Sequence, residues 1–195
     1  MKPKKILVVA SAVFLASIVH ADLRAQDGVR VTNHEANGNL QSTVKLGCIP
    51  ASDVKTTYSP ADLYRAVAVC VEGGDMKKGV LLYVLAGVYG RFDTLRVSDK
   101  TAHQALTVLQ MENLDPIAED KSNQFREEIG RVAQDEDAHA ELCSVVREIG
   151  PPTYYPRYMI QHGMGAFFGG SGDGLVRGFD PAAGWNEAMS KYLHC

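Results

Sequence analysis

An apolar leader precedes all four cysteines of this chain. Three lysines among residues 2–5 are followed by a mainly apolar, uncharged run at residues 6–19, and Val19-His20-Ala21 forms a small-residue processing site. This three-part layout is typical of a secretory signal peptide. The run falls short of the roughly 20 apolar residues that span a bilayer. We therefore expect cleavage after residue 21 and no membrane insertion of the mature protein.

The cysteines are Cys48, Cys70, Cys143 and Cys195, and none lies where a lipoprotein carries its acylated cysteine. An even number of cysteines behind a secretory leader predicts two disulfides in an oxidising compartment. Three pairings are open, and Cys48–Cys70 with Cys143–Cys195 is favoured because each pair encloses one local stretch. A zinc site is disfavoured because the chain has no Cys-x-x-Cys pair. No metal or cofactor is expected.

The charge of the mature chain limits its partners. Removal of the three leader lysines from the 20 basic residues leaves 17 against 23 acidic residues, a net charge of about −6 with His neutral. Nucleic-acid binding requires clustered Lys and Arg, so no nucleic-acid partner is expected. Residues 22–195 are long enough for a single domain with its own core.

Helical periodicity is clearest in the middle of the chain. Ser59-Pro60-Ala61-Asp62 predicts a helix start, with a hydroxyl at the N-cap, proline at N1 and an acid at N3. Apolar residues then recur at three- and four-residue steps until Gly73-Gly74. A second helix is expected over about residues 75–90. It is apolar on nearly all sides, which indicates burial, and Gly87 is expected to mark a close helix contact.

The remaining segments complete an all-α prediction of five or six helices, braced by two disulfides. Residues 22–58 are expected to form an irregular N-terminal arm, with one short strand around Ser42–Leu46. Ser98 is expected to cap a third helix, and the acidic tract 115–149 to form two helices with a break within 130–137. Residues 151–178 are expected to form a flexible loop rich in glycine and aromatic residues, before Asp180-Pro181 opens a closing helix.

The predicted hairpin resembles a tetratricopeptide or Sel1-type helical repeat. The resemblance rests on Tyr64-Arg65-Ala66-Val67-Ala68, the turn Glu72-Gly73-Gly74-Asp75, and Leu85-Ala86-Gly87-Val88-Tyr89-Gly90. It covers about residues 59–110, and no second copy follows, whereas a solenoid needs roughly three repeats. The resemblance implies a protein-binding scaffold, here as a single hairpin within a helical domain.

Two groupings of an acidic residue with a histidine have the spacing of possible chemical sites. Glu136-x-x-His139 is the half-motif of a di-iron carboxylate bundle, but no second copy is present, so a solvated helix face is the preferred interpretation. Asp99 and His103 are interpreted as a capping contact near a helix start rather than as a catalytic pair.

Nucleophilic catalysis has one weak candidate. Ser171 lies in Gly169-Gly170-Ser171-Gly172-Asp173, which departs from Gly-x-Ser-x-Gly at its last position and follows no buried strand. A loop is the preferred interpretation, and paired cysteines do not act as nucleophiles. No catalytic residue is assigned.

Two features favour recognition of a partner. The acidic helices, with Glu127, Glu128 and Glu136, could meet a basic partner, although charged helix faces are usually just solvated. The aromatic cluster Tyr154, Tyr155 and Tyr158 has the composition of protein interfaces. Packing that closes a helical core explains these tyrosines equally well.

These patterns favour a periplasmic or secreted, non-enzymatic protein that binds another protein. The nearest functional class is an immunity or inhibitor protein against a basic, envelope-acting toxin; another envelope component is also a candidate partner. One alternative is an envelope hydrolase with a site around His162, Ser171 and Asp173. A second alternative is a scaffold or assembly factor of an envelope complex that uses the helical hairpin.

Overall fold

Seven α-helices dominate the part of the chain that the structure, a computed structural model, describes: residues 35–168 and 172–195. The all-α prediction is confirmed, and the helix beyond the expected five or six is a single turn, α6. The predicted signal peptide lies outside the described residues. The helices are α1 Pro60–Glu72, α2 Met76–Arg96, α3 Ala105–Leu114, α4 Glu119–Gln134, α5 Glu136–Ile149, α6 Arg157–Ile160 and α7 Pro181–Glu187. None of these helices has the length and apolar character needed to cross a bilayer.

The helical hairpin is formed by α1 and α2, as predicted. Ser59 caps α1 through its hydroxyl, and the carboxylate of Asp62 accepts the Ser59 backbone N–H, which completes a capping box. The connecting turn contains Gly74 at φ +83°, a conformation that glycine adopts without strain. Asp75 then caps α2 by accepting from the backbone N–H of Lys78.

The central helix α2 is buried along most of its length and runs to Arg96, six residues beyond the predicted end. Gly90 does not end it; a Cβ at this position would overlap the Leu106 side chain. Gly87 likewise marks a close contact, because a Cβ there would overlap the Tyr192 hydroxyl. Both glycines therefore serve close packing on α2, as expected for Gly87.

The approach to α3 differs from the prediction that Ser98 caps it. The carboxylate of Asp99 accepts from the Thr101 backbone N–H at 2.9 Å and caps a 3₁₀ turn, Lys100–Gln104, which leads into α3. Ser98 instead donates its hydroxyl to the Gly174 carbonyl at 3.0 Å. A carboxylate and a hydroxyl are both good caps, so the local sequence did not distinguish them.

Asp135 separates α4 from α5, within the predicted break. It is the C-cap of α4, and its side chain accepts from the Ala138 backbone N–H at the start of α5. Helix α5 ends at Gly150, which has φ +85°. Each helix is amphipathic, with Phe125 of α4 and Val146 of α5 in the core.

The expected strand at Ser42–Leu46 is wrong. These residues form an irregular segment whose backbone N–H groups at Thr43 and Val44 donate to Asp62 at 2.7 and 2.9 Å. The Ser42 hydroxyl donates to the same oxygen at 2.9 Å. The buried Asp62 carboxylate thus accepts the backbone hydrogen bonds that would go to a neighbouring strand in a sheet.

Both favoured disulfides are confirmed. Cys48–Cys70 joins the arm to α1, and Cys143–Cys195 joins α5 to the C-terminal segment. That segment consists of α7, capped by Asp180, followed by a π-helical turn, Ala188–Tyr192.

Candidate functional site

A fully buried carboxylate, Asp93, organises the end of α2. Its Oδ2 accepts from the hydroxyls of Tyr154 and Tyr158 at 2.7 and 2.8 Å, and its Oδ1 accepts from Nε of Arg96 at 2.8 Å. Burial raises the pKa of the Asp93 carboxyl, and the Arg96 charge opposes this rise. Burial also raises the pKa of both tyrosines well above its ordinary value. The network therefore connects α2 to the aromatic segment through four polar side chains.

Arg96 lies between aromatic rings as well as beside Asp93. Its guanidinium carbon is 4.9 Å from the centre of the Phe92 ring and 5.1 Å from that of Tyr154. Its Nη2 lies 2.7 Å from Oδ1 of Asp93 but makes no aligned hydrogen bond. The charge is thus enclosed by one carboxylate and two aromatic rings, which attract it electrostatically.

The predicted loop 151–178 is tied to the helical frame at several points in its described part. The backbone N–H of Gly165 donates to Asp99 at 2.8 Å, and that of Met164 donates to the Thr101 hydroxyl at 2.9 Å. Val176 donates its N–H to the Arg96 carbonyl at 2.8 Å. The Thr101 and Gly165 hydrogen bonds lower the pKa of Asp99. These contacts order segments on both sides of residues 169–171, which lie outside the described residues.

Large apolar side chains on this loop point to solvent. Phe168 is 78% exposed, Phe167 47%, Met164 51% and Tyr155 51%. The Tyr155 hydroxyl donates to the Asp173 carbonyl at 2.5 Å, which anchors one end of the ring while its face stays accessible. A tethered backbone with outward apolar groups is a favourable platform for contact with another protein.

The predicted tyrosine cluster is divided by the fold. Tyr158 is 3% exposed, and Tyr154 is partly buried against Tyr89 and Arg96. Both hydroxyls are bonded to Asp93, so these two rings close the core. Tyr155 is the member of the cluster whose ring is accessible to a partner, and its binding role stays a prediction.

The acidic residues proposed for binding have different surroundings. Glu127 and Glu136 are exposed on α4 and α5. Glu128 forms two hydrogen bonds with Arg131, at 2.8 and 2.9 Å, and its side chain is 16% exposed. The Arg131 hydrogen bond lowers the pKa of Glu128. Glu127 and Glu136 are therefore the acids of this set that are open to a basic partner.

Among the described residues of the hydrolase alternative, no hydrogen bond joins His162 to Asp173. Nδ1 of His162 donates to the side-chain oxygen of Asn39 at 2.9 Å, whereas the Asp173 carboxylate accepts from the Leu175 backbone N–H at 3.0 Å. Ser171 lies outside the described residues.

Asp99 is a capping residue, as expected. Its carboxylate accepts from the backbone N–H of Thr101 in the turn that follows it.

His139 is not simply part of a solvated helix face. Its Nε2 lies 2.9 Å from the Leu193 carbonyl, and its ring is beside Cys143. Glu136, the other half of the predicted motif, is exposed one turn earlier. Sequence reasoning missed this contact, although the four-residue spacing of His139 and Cys143 on one helix is a usable signal. Asp93 and Arg96, which lie three residues apart in a mostly apolar helix, were in the same way a sequence signal for the buried network around Asp93.

Comparison with known proteins gives no match to any protein-family model, curated protein or solved structure.

Proposed function

We propose that this is a non-enzymatic protein that binds another protein outside the cytosol, as an inhibitor or immunity protein against an envelope-acting toxin. The leader pattern and two disulfides support a periplasmic or secreted location, because thiols pair and persist in oxidising compartments. The binding role depends on the surface of the 151–178 loop.

One observation carries the binding role: aromatic side chains stand exposed on a loop whose backbone is hydrogen-bonded to the helical frame. Phe167, Phe168 and Tyr155 offer ring surface without a large cost in loop ordering. Such rigid aromatic groups contribute most of the affinity at many interfaces.

The charge of the chain suggests the chemistry of the partner. Glu127 and Glu136 are exposed, and the mature chain is acidic overall. A basic partner would be attracted at long range, which raises the association rate more than the final affinity.

The test is capture from envelope extract, identification of the retained protein, and measurement of its dissociation constant with purified components. The triple variant Tyr155→Ala, Phe167→Ala, Phe168→Ala should weaken binding by roughly 30-fold or more, since losing one aromatic anchor costs about 2 kcal/mol. Met111→Ala is the matched control, because Met111 is equally exposed but lies on α3. Equal binding by the triple variant and the control would remove the loop from the interface.

Charge reversal tests the role of the exposed acidic residues. Glu127→Lys with Glu136→Lys should slow association and reduce its salt dependence, whereas Glu112→Lys on α3 should have a smaller effect. Glu128 is left unchanged in this set because its reversal would also break the ion pair with Arg131.

The alternatives predict different results. A hydrolase would turn over an envelope substrate and lose that turnover in Ser171→Ala or His162→Ala, with no partner retained. A scaffold would retain several subunits of one complex through α1 and α2, independently of the loop aromatics. Either result would overturn the proposed inhibitor function.

A further inference from the structure

A cavity of about 660 Å³ lies between the end of α2 and the loop segment 172–178. Pockets that bind small molecules have volumes of about 300–1,000 Å³, so this one is large enough for an organic ligand. Its lining combines three charged residues with several apolar ones. The charged residues are Arg96, Arg177 and Asp173, and the apolar ones include Phe92, Leu175 and Phe179.

One wall of the cavity is held in place by hydrogen bonds between the loop and the end of α2. The backbone N–H of Val176 donates to the Arg96 carbonyl at 2.8 Å, and that of Ser98 donates to the Gly174 carbonyl at 3.0 Å. These two bonds form an antiparallel bridge. The backbone on both sides of Leu175 is therefore fixed, so entry of a ligand requires little ordering of this wall.

Arg177 supplies an accessible positive charge. It is exposed and forms no ion pair with another described residue. Arg96 contributes less, because its Nε and Nη2 lie beside the Asp93 carboxylate, which balances its charge. A guanidinium presents pairs of N–H groups that match the two oxygens of a carboxylate. The cavity therefore favours a carboxylate group, with Arg177 as its main partner.

Asp173 adds a negative charge to the same lining. Its Oδ1 accepts from the Leu175 backbone N–H at 3.0 Å, and in the described part of the chain the carboxylate has no basic side chain within ion-pair distance. Such a carboxylate attracts an ammonium group and repels a ligand that carries only negative charge. The opposite charges of Arg177 and Asp173 therefore favour a ligand with both a carboxylate and an ammonium group.

The apolar part of the lining is largely aromatic. Phe92 and Phe179 meet edge to face, with their ring centres 5.3 Å apart. Phe92 is buried, and Phe179 and Leu175 are partly buried. A hydrocarbon group placed against these residues would lose contact with water, which favours binding in proportion to the area covered. The ligand therefore carries an apolar group in addition to its two charges.

We propose that this cavity binds a free apolar α-amino acid. Arg177 binds its carboxylate, Asp173 binds its ammonium group, and Phe179 contacts its side chain. This site is separate from the proposed capture of a protein by the exposed aromatic side chains of the loop. Either activity can therefore fail in an experiment without the other.

Isothermal titration calorimetry of the disulfide-bonded chain with L-phenylalanine and with L-leucine tests the proposal. We expect saturable binding of at least one of them, with one site per chain. Failure of both amino acids to bind below about 10 mM would overturn the proposal.

Derivatives of the amino acid that binds separate a free amino acid from a polypeptide end with the same groups. The N-acetyl form keeps the carboxylate and resembles a C-terminus, whereas the amide form keeps the ammonium group and resembles an N-terminus. Each should bind at least about tenfold more weakly than the free amino acid, since one ionic hydrogen bond is lost. Equal binding of either derivative would show that a chain end is the ligand and would overturn the proposal.

Two variants assign the charged groups, and both positions are exposed, so neither change removes core packing. Arg177→Gln should weaken binding of the free amino acid at least about tenfold but leave binding of the amide form nearly unchanged. Asp173→Asn keeps an oxygen for the Leu175 N–H and should weaken the free amino acid but not the N-acetyl form.

Arg65→Gln is the matched control, because it removes an exposed arginine on α1 and should bind as the unmodified chain does. Unchanged affinity for the free amino acid in Arg177→Gln or in Asp173→Asn would refute the assignment of the site. An equal loss of affinity in Arg65→Gln would refute it as well, since that loss would reflect overall charge rather than this cavity.

Discussion

Replacement of Asp62 should destabilise the protein far more than replacement of a surface acid. One carboxylate oxygen accepts from the backbone N–H and the hydroxyl of Ser59, at 2.8 and 2.7 Å. The other accepts from the backbone N–H groups of Thr43 and Val44 and from the Ser42 hydroxyl. Asp62 thus caps α1 and holds the N-terminal arm at the same time.

The size of the loss in the free energy of unfolding depends on which of these donors can bond to water when the carboxylate is removed. The Ser59 N–H is buried and would stay unsatisfied, at a cost of about 1–3 kcal/mol. Thr43 and Val44 are exposed, so water replaces the carboxylate there, at a cost of roughly 1 kcal/mol each. Removing a buried charge recovers part of this, so Asp62→Ala should lower the free energy of unfolding by about 2–4 kcal/mol.

Urea unfolding followed by circular dichroism, with both disulfides intact, measures this loss. Asp62→Asn separates hydrogen bonding from packing, because asparagine has the same shape but turns an NH₂ group toward one set of donors. It should lose about 1.5 kcal/mol or more, whereas exposed Asp53→Ala should stay within about 0.5 kcal/mol of the unmodified protein. Trypsin should also cut at exposed Lys45 faster in both Asp62 variants. An Asp62→Asn protein as stable as the unmodified one would refute the reasoning.

Three other outcomes test the packing and the buried phenols. Gly130→Ala should stabilise the protein by about 0.5–1 kcal/mol in urea unfolding, because a Cβ there meets nothing closer than 4.0 Å and alanine favours the helix. Gly87→Leu should destabilise by about 1–3 kcal/mol by displacing Tyr192; an unchanged urea midpoint would contradict the close contact. The buried phenols should make stability fall as pH rises above about 10, because unfolded tyrosines ionise near pH 10 while burial raises the pKa of Tyr154 and Tyr158 in the folded state. Tyr154→Phe with Tyr158→Phe should make that fall shallower by up to about 1.4 kcal/mol per pH unit for each ring, and an equal slope in both proteins would show that neither ring contributes.

Helix starts and turns could be predicted because they depend on neighbours in sequence. The Ser59-Pro60 and Asp180-Pro181 signals each place a side-chain acceptor within three residues of the N–H groups that it satisfies. The Gly73-Gly74 turn likewise needs only the local freedom of glycine. The disulfide pairing was favoured because it closes the shorter loops, although the sequence left all three pairings open.

The candidate site could be predicted only in outline. Its aromatic composition was visible in the sequence, but which rings face outward depends on Asp93, which lies 61 residues before Tyr154 and 65 before Tyr158. Burial of a carboxylate is costly unless it accepts hydrogen bonds, and here the fold brings two tyrosine hydroxyls to it from a segment distant in sequence. Tyr155 is left exposed because it lies between them.

The sequence by itself determined the all-α class and the hairpin, and it predicted two disulfides, since periodicity, caps and cysteine number are read directly from the chain. Which cysteines pair was settled by the tertiary structure. The tertiary structure decided what each polar side chain does. It converted the expected strand at Ser42–Leu46 into a segment held by Asp62 and set His139 beside Cys143 and Cys195. The physical reason is that a buried polar group is satisfied by whichever partner packing brings near, and local sequence carries no record of that partner.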